Sequence, residues 1–101
     1  MSIVNLSPVE VAKLLENGSI VLVDVREQGE WDAGHVQGAQ LFPLSSFDPV
    51  RLPQGNIVFM CGVGVRSARA VALAQAAGIA CNQHLAGGIG AWRSAGLPLV
   101  A

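Results

Sequence analysis

The stretch Ile57-Val58-Phe59-Met60-Cys61-Gly62-Val63-Gly64-Val65-Arg66-Ser67 decides how this chain is read. Its first four residues are an apolar run too short for a helix, and they predict a buried parallel strand. A cysteine follows, then a turn spaced by glycines, then an alanine-rich run over Arg66 to Ala77 that Gly78 ends. That run predicts the best helix of the chain. A strand that ends in cysteine and feeds a helix sets the thiol among unpaired backbone N–H groups. The helix dipole adds a partial positive charge of roughly half a unit. A thiol is a nucleophile only as a thiolate, and this position favours one.

Nearer the N-terminus, Ser7-Pro8-Val9-Glu10 is a helix start: Ser7 caps, Pro8 suits the first turn, and Glu10 completes a capping box. Val11, Leu14 and Leu15 form its apolar stripe, and Asn17-Gly18 stops it. Ile20 to Val25 is a second short β-branched run and predicts a second buried strand. A short helix is expected around Glu27 to Asp32, and Ala39 to Phe42 and Asn82 to Leu85 are further strand candidates. Ser45 to Gly55 reads as irregular, with turns at Pro49 and Pro53. Gly87-Gly88 leads into a short helix over Ile89 to Ser94. Strands alternating with helices predict an α/β fold, a mostly parallel central sheet of about five strands flanked by helices. Reactive groups in such sheets collect at the carboxyl ends of strands. Asp24, Cys61 and Leu85-Ala86-Gly87-Gly88 all fall there, so they are expected on one rim.

Composition narrows the function. With 101 residues, 51% hydrophobic and 13% charged, the chain is expected to be one globular domain over residues 1–101. A net charge of -1, with no run of basic residues, argues against nucleic-acid and anionic-membrane partners. No apolar stretch approaches the roughly 20 residues of a membrane span, and no targeting segment is visible. The expected location is the cytoplasm, and two cysteines fit a reducing compartment.

Four stretches together resemble the rhodanese family of sulfurtransferases. Leu22-Val23-Asp24-Val25-Arg26-Glu27 is similar to the family's Asp-Val-Arg strand end. Trp31-Asp32-Ala33-Gly34-His35-Val36-Gln37-Gly38-Ala39 resembles its His-hydrophobic-Pro-Gly-Ala motif. Cys61 to Ser67 resembles the Cys-x-x-Gly-x-Arg-Ser loop, and Leu85-Ala86-Gly87-Gly88 with Ala91-Trp92 resembles the closing Gly-Gly…Trp motif. The likeness runs over almost the full length. Gln37 departs from the family's usual proline, which implies a looser turn. Gly62 and Val63 offer no cation, where members that prefer thiosulfate often carry one. The glycine after the cysteine is similar to that of relatives using mercaptopyruvate.

The resemblance implies a ping-pong transfer. Cys61 attacks the sulfane sulfur of a donor such as thiosulfate, mercaptopyruvate or a protein persulfide and becomes a persulfide. A thiol or cyanide then removes the sulfur. The expected cradle is Gly62, Val63, Gly64, Val65, Arg66 and Ser67, with the N–H groups of Gly62 through Arg66 as donors. No metal and no cofactor is expected beyond the persulfide itself. Partners are expected to be small sulfur donors and thiol acceptors, or a protein that donates or accepts a persulfide. Two other functions are weighed: a non-catalytic interaction module, and a thiol-dependent phosphatase or arsenate reductase. Related phosphatases use a longer spacer between cysteine and arginine; Gly62 to Val65 makes a tighter ring, better suited to one sulfur atom.

Around the loop, Asp24 and Arg26 either orient it or form an ion pair with neighbours such as Glu30. His35 either shuttles a proton or holds its turn, and His84 is the weaker of the two histidines for chemistry. Ser67 either donates to the persulfide or satisfies the first helical turn. Trp31 and Trp92 either wall the pocket or pack in the core. Cys81, with no glycine loop after it, reads as buried and inert.

Overall fold

A computed structural model describes residues 2–101. Along the chain run β1 (Val4–Leu6), α1 (Pro8–Glu16), β2 (Val21–Asp24), α2 (Gln28–Ala33), β3 (Gln40–Leu41), β4 (Ile57–Met60), α3 (Val65–Ala76), β5 (Gln83–Leu85) and α4 (Gly88–Ser94). Two short 3-10 turns, Leu44–Ser46 and Pro49–Arg51, break up the irregular stretch before β4. The sheet order is β1-β5-β4-β2-β3, and every pairing is parallel. This is the α/β architecture that the alternation of strands and helices predicts.

The period of a strand sorts its side chains onto two faces. Val58 and Met60 of β4 pack with Leu22, Leu85, Val11, Ile89 and Trp92 on the face covered by α1 and α4. Ile57, Phe59 and Cys61 pack with Val23, Val25 and the α3 residues Ala70, Val71 and Ala74 on the other. All four β4 residues are buried, which is why the strand reads as a continuous apolar run. Burying one side chain such as Phe59 contributes about 1.5–3 kcal/mol. The capping box of α1 forms as its sequence predicts: Glu10 N–H donates to Ser7 Oγ at 3.2 Å, and Ser7 N–H donates to Glu10 Oε1 at 3.0 Å.

One strand goes beyond the expected elements, and one expectation is corrected. The sequence did not announce β1; it is an edge strand of three residues, and only Leu6 is buried, too little pattern to read. The turn at Gln37 is not loose. Ala39 N–H donates to Val36 O at 3.1 Å, and Gly38 takes the positive φ that closes it. Proline is therefore not needed there.

Candidate active site

The strand ends of β2, β4 and β5 do share one rim. From the last of them the chain passes through Ala86 to Gly87-Gly88, which lies directly against the cysteine loop. Ile89 N–H donates to Cys61 O at 2.8 Å and Gly90 N–H donates to Gly62 O at 3.1 Å. The free N–H groups at the start of α4 thus anchor the loop's carbonyls. Gly88 has φ +60°, and a Cβ there would come 2.3 Å from Cys61 O and 2.7 Å from the Gly62 carbonyl. Only glycine permits that approach.

Cys61 Sγ lies at the N-terminus of α3. It accepts from Gly64 N–H at 3.1 Å and from Ser67 N–H at 3.3 Å. Gly64 is the N-cap of α3, in the left-handed region at φ +102°, and has no side chain to cap with. Ser67 is at the third helical position, whose N–H a capping side chain normally takes. The cysteine sulfur therefore fills the acceptor role of the absent cap. Burial is the largest influence on the Cys61 thiol and pushes its pKa up. Hydrogen bonds from the Ser67 side chain and N–H, then from the Gly64 and Val63 N–H groups, outweigh it and leave the pKa below its ordinary value. Donation to sulfur comes from this set rather than from the whole run Gly62 to Arg66: the Ser67 N–H belongs to it, and those of Gly62, Val65 and Arg66 make no such bond. The Val63 and Val65 side chains point to solvent, while the Cys61 residue is only 1% exposed at the base of the loop.

Arg66 does not reach toward the sulfur as a free cation. Its guanidinium donates to Glu30 Oε1 at 2.6 Å and to Oε2 at 2.9 Å. The Arg66 hydrogen bond is the main reason the Glu30 carboxyl is pulled down to about 2. Glu30 is the residue that sequence reasoning placed with the wrong partner. Asp24 and Arg26 instead pair with each other, fully buried, through Arg26 Nη2 to Asp24 Oδ2 at 2.9 Å and two bonds from Nε at 3.1 Å. Arg26 also donates to Glu30 O at 3.3 Å and Gly34 O at 2.8 Å. That pair holds α2 in place, and α2 presents Glu30 to Arg66. Asp24 and Arg26 are thus joined to the loop at one remove.

Two further site candidates are not brought to the sulfur. The His35 ring stacks on Trp31 at 3.8 Å and its Nδ1 lies 3.0 Å from Trp31 O, while its backbone bridges Val100. It holds the end of α2. Trp92 Nε1–H donates to Pro98 O at 2.9 Å, and the ring packs in the α1–α4 core. There it borders a mostly apolar cavity of about 620 Å³ with Ala12, Leu15, Val36 and Leu97, which Cys61 does not line. His84, ranked below His35 in the sequence, is the histidine near the loop: its Nδ1 is 2.7 Å from Ser67 Oγ, which is 3.5 Å from Cys61 Sγ. Cys81 is buried, a free thiol like Cys61, and burial pushes its pKa up. Among the described residues, no group of three or more His, Cys, Asp or Glu side chains could hold a metal, and no helix is long and apolar enough to cross a membrane.

Comparison with known proteins gives this geometry a context. A family model described as a rhodanese-like domain matches residues 7–95. A probable adenylyltransferase/sulfurtransferase, MoeZ, from Mycobacterium tuberculosis is 42% identical over 86% of this chain, which spans 24% of that protein's length. A sulfurtransferase from Allochromatium vinosum is 32% identical over 88% of this chain and 86% of its own. Among solved structures, a Rhodopseudomonas palustris protein of unknown function, described as a possible tyrosine phosphatase, superposes with a TM-score of 0.84. It is 29% identical and covers 97% of this chain and 85% of its own.

Proposed function

The chain belongs to the rhodanese-like domain family, and we propose from that premise that it is a sulfurtransferase working through a persulfide on Cys61. The names of its relatives support sulfur transfer as the reaction class. The observation that carries the finer reading is the pair of N–H groups, Gly64 and Ser67, donating to Sγ at the head of α3. They favour the thiolate before reaction and are in place to hold the anion that forms on it.

In the first half-reaction the Cys61 thiolate attacks the sulfane sulfur of a donor. The donor's bond to that sulfur breaks and its electron pair leaves with the remainder, sulfite in the case of thiosulfate. In the second, a thiolate or cyanide attacks the outer sulfur and Cys61 departs as thiolate. Thiosulfate, mercaptopyruvate and a protein persulfide are the donors in view. Arg66 is matched by Glu30, so the loop offers no unpaired cation to a dianion, which supports a donor other than thiosulfate as the better one. The place of action we propose is the cytoplasm.

The test is intact mass after incubation with thiosulfate, and separately with mercaptopyruvate. A gain of one sulfur atom, removed by cyanide and absent in Cys61→Ser, is expected. Uptake that persists in Cys61→Ser overturns the proposal. Hydrolysis of a phosphate ester, with no sulfur uptake, would instead favour the thiol-phosphatase reading, which is supported by the likeness to the possible tyrosine phosphatase of Rhodopseudomonas palustris. The spacer of four residues, Gly62 to Val65, speaks against it.

A further inference from the structure

Behind Cys61 runs a hydrogen-bonded string that the transfer described above does not use. Cys61 Sγ lies 3.5 Å from Ser67 Oγ, and Ser67 Oγ lies 2.7 Å from His84 Nδ1. The other ring nitrogen, Nε2, lies 2.7 Å from Asn5 Oδ1. Ser67 and His84 are buried, whereas Asn5 sits on the exposed edge strand β1, directly opposite His84 in the register.

Counting hydrogens gives the string a direction. An amide oxygen only accepts, so Nε2 carries a hydrogen, and in a neutral imidazole Nδ1 is then a bare acceptor. Ser67 has one hydrogen and three neighbours: Sγ, Nδ1, and Gly64 O at 3.2 Å. With His84 neutral, that hydrogen goes to Nδ1 and the oxygen's lone pairs face the thiol. With His84 protonated, Nδ1–H donates to Ser67, whose own hydrogen is released toward the sulfur or Gly64 O. The ring thus sets which way Ser67 points.

We propose that His84, acting through Ser67, receives the proton that Cys61 gives up and thereby controls the supply of thiolate. The S–H bond breaks as an O–H bond forms on Ser67, and the original Ser67 O–H breaks as Nδ1–H forms. The products are a thiolate and an imidazolium whose Nε2–H stays on Asn5. No electrons are transferred and no co-reactant is needed, and the proton returns by the same route. Burial holds the His84 pKa below its ordinary value, which keeps Nδ1 open as an acceptor and works against the imidazolium, so the ring gives the proton back readily. Among the described residues, the groups facing the ring are uncharged: Asn5 from β1, Ser67 at the start of α3, the Gly64 backbone, and Phe59, its register partner on β4. The titratable group in this shell is Cys61 itself, reached through Ser67. Arg66, one residue before Ser67, is turned to Glu30, and Arg69 of α3 is exposed. His84 is therefore a positioning residue, and its role rests on the reading of Cys61 as the nucleophile.

The test is the pH dependence of Cys61 alkylation by iodoacetamide, which needs no sulfur donor. It judges the relay even if no persulfide ever forms. In His84→Gln, which keeps polar contacts but cannot titrate, the rate at pH 7 is expected to fall about tenfold, the equivalent of one pKa unit. Ser67→Ala should do the same, and the double variant no more than either. A His84→Gln profile that superimposes on the wild type, or single effects that add, overturns the proposal. For a readout on a chain with both relay residues intact, His84 is titrated by NMR in wild type and in Cys61→Ala. A pKa that moves between them supports the coupling, and an unchanged one sinks it.

Discussion

Arg66 is held by Glu30 through two contacts of 2.6 and 2.9 Å, so the cation of the cysteine loop stands beside Gly62 with its charge already matched. The pairing ties the first turn of α3 to α2 through two residues 36 positions apart in the sequence. On the proposed sulfur transfer, it also bears on which donors the loop would accept.

Glu30→Gln removes the matching charge and keeps a side chain of the same size. Its KM for thiosulfate is expected to fall about fivefold, the effect of ~1 kcal/mol of Coulomb energy at a wet surface. An unchanged KM would mean that Arg66 has no influence on the donor. The carboxyl is pulled down to about 2 in the folded chain. Its contribution to stability is present above the ordinary carboxylate range and is lost only as pH falls toward 2. Both side chains are more than a third exposed, so the contribution is that of a screened pair, at most about 1 kcal/mol.

The Asp24–Arg26 pair behaves differently because it is buried. Asp24→Ala leaves Arg26, a residue only 3% exposed, without its carboxylate. A loss of about 3–5 kcal/mol is expected, read from urea unfolding. Arg26→Lys is expected to be destabilising as well, since an ammonium cannot span both carboxylate oxygens and the Gly34 carbonyl.

Gly88→Ala places a methyl group 2.3 Å from the Cys61 carbonyl oxygen, where backbone and not a flexible side chain must move. The positive φ adds strain. About 1–3 kcal/mol of destabilisation is expected from the overpacking, together with loss of sulfur uptake as the loop shifts. Gly78→Ala is the control: its φ is also positive, and its Cβ meets nothing within 4 Å, so uptake should survive.

The two cysteines should separate by pH. The Cys61 thiol lies below its ordinary value and Cys81 above it, so a small alkylating agent at neutral pH is expected to label Cys61 first. The sign for stability follows. A lowered thiol pKa contributes stability that is fully present above the unfolded value and is lost as pH falls through the folded one. The gap in stability between wild type and Cys61→Ala should therefore widen as pH rises toward 9.0. A gap that stays flat with pH would show that the donors do not favour the thiolate.

Much of this was legible in the residues. The apolar runs at Ile20 to Val25 and Ile57 to Met60, the Ser7 box and the alanine-rich helix announced themselves because each is a local pattern of one period. The shared rim followed from topology. What stayed hidden depends on side-chain reach across the sheet. Nothing local says that Glu30 meets Arg66, or that His84 rather than His35 stands behind Ser67. His35 is in the more conspicuous motif, yet its ring is spent on Trp31. His84 was findable only as the strand residue two positions before Ala86, alternating to the face that α3 covers. Asn5 carried no signal, because its strand exposes all but Leu6.

With glycine at position 64, the reactive atom of Cys61 doubles as the plug in the open end of α3. Anything that lengthens or blocks that atom changes how firmly the helix is stoppered. The resting and alkylated forms, and the persulfide form proposed above, should consequently melt at different temperatures, so a simple melting curve tests whether Cys61 has taken anything up.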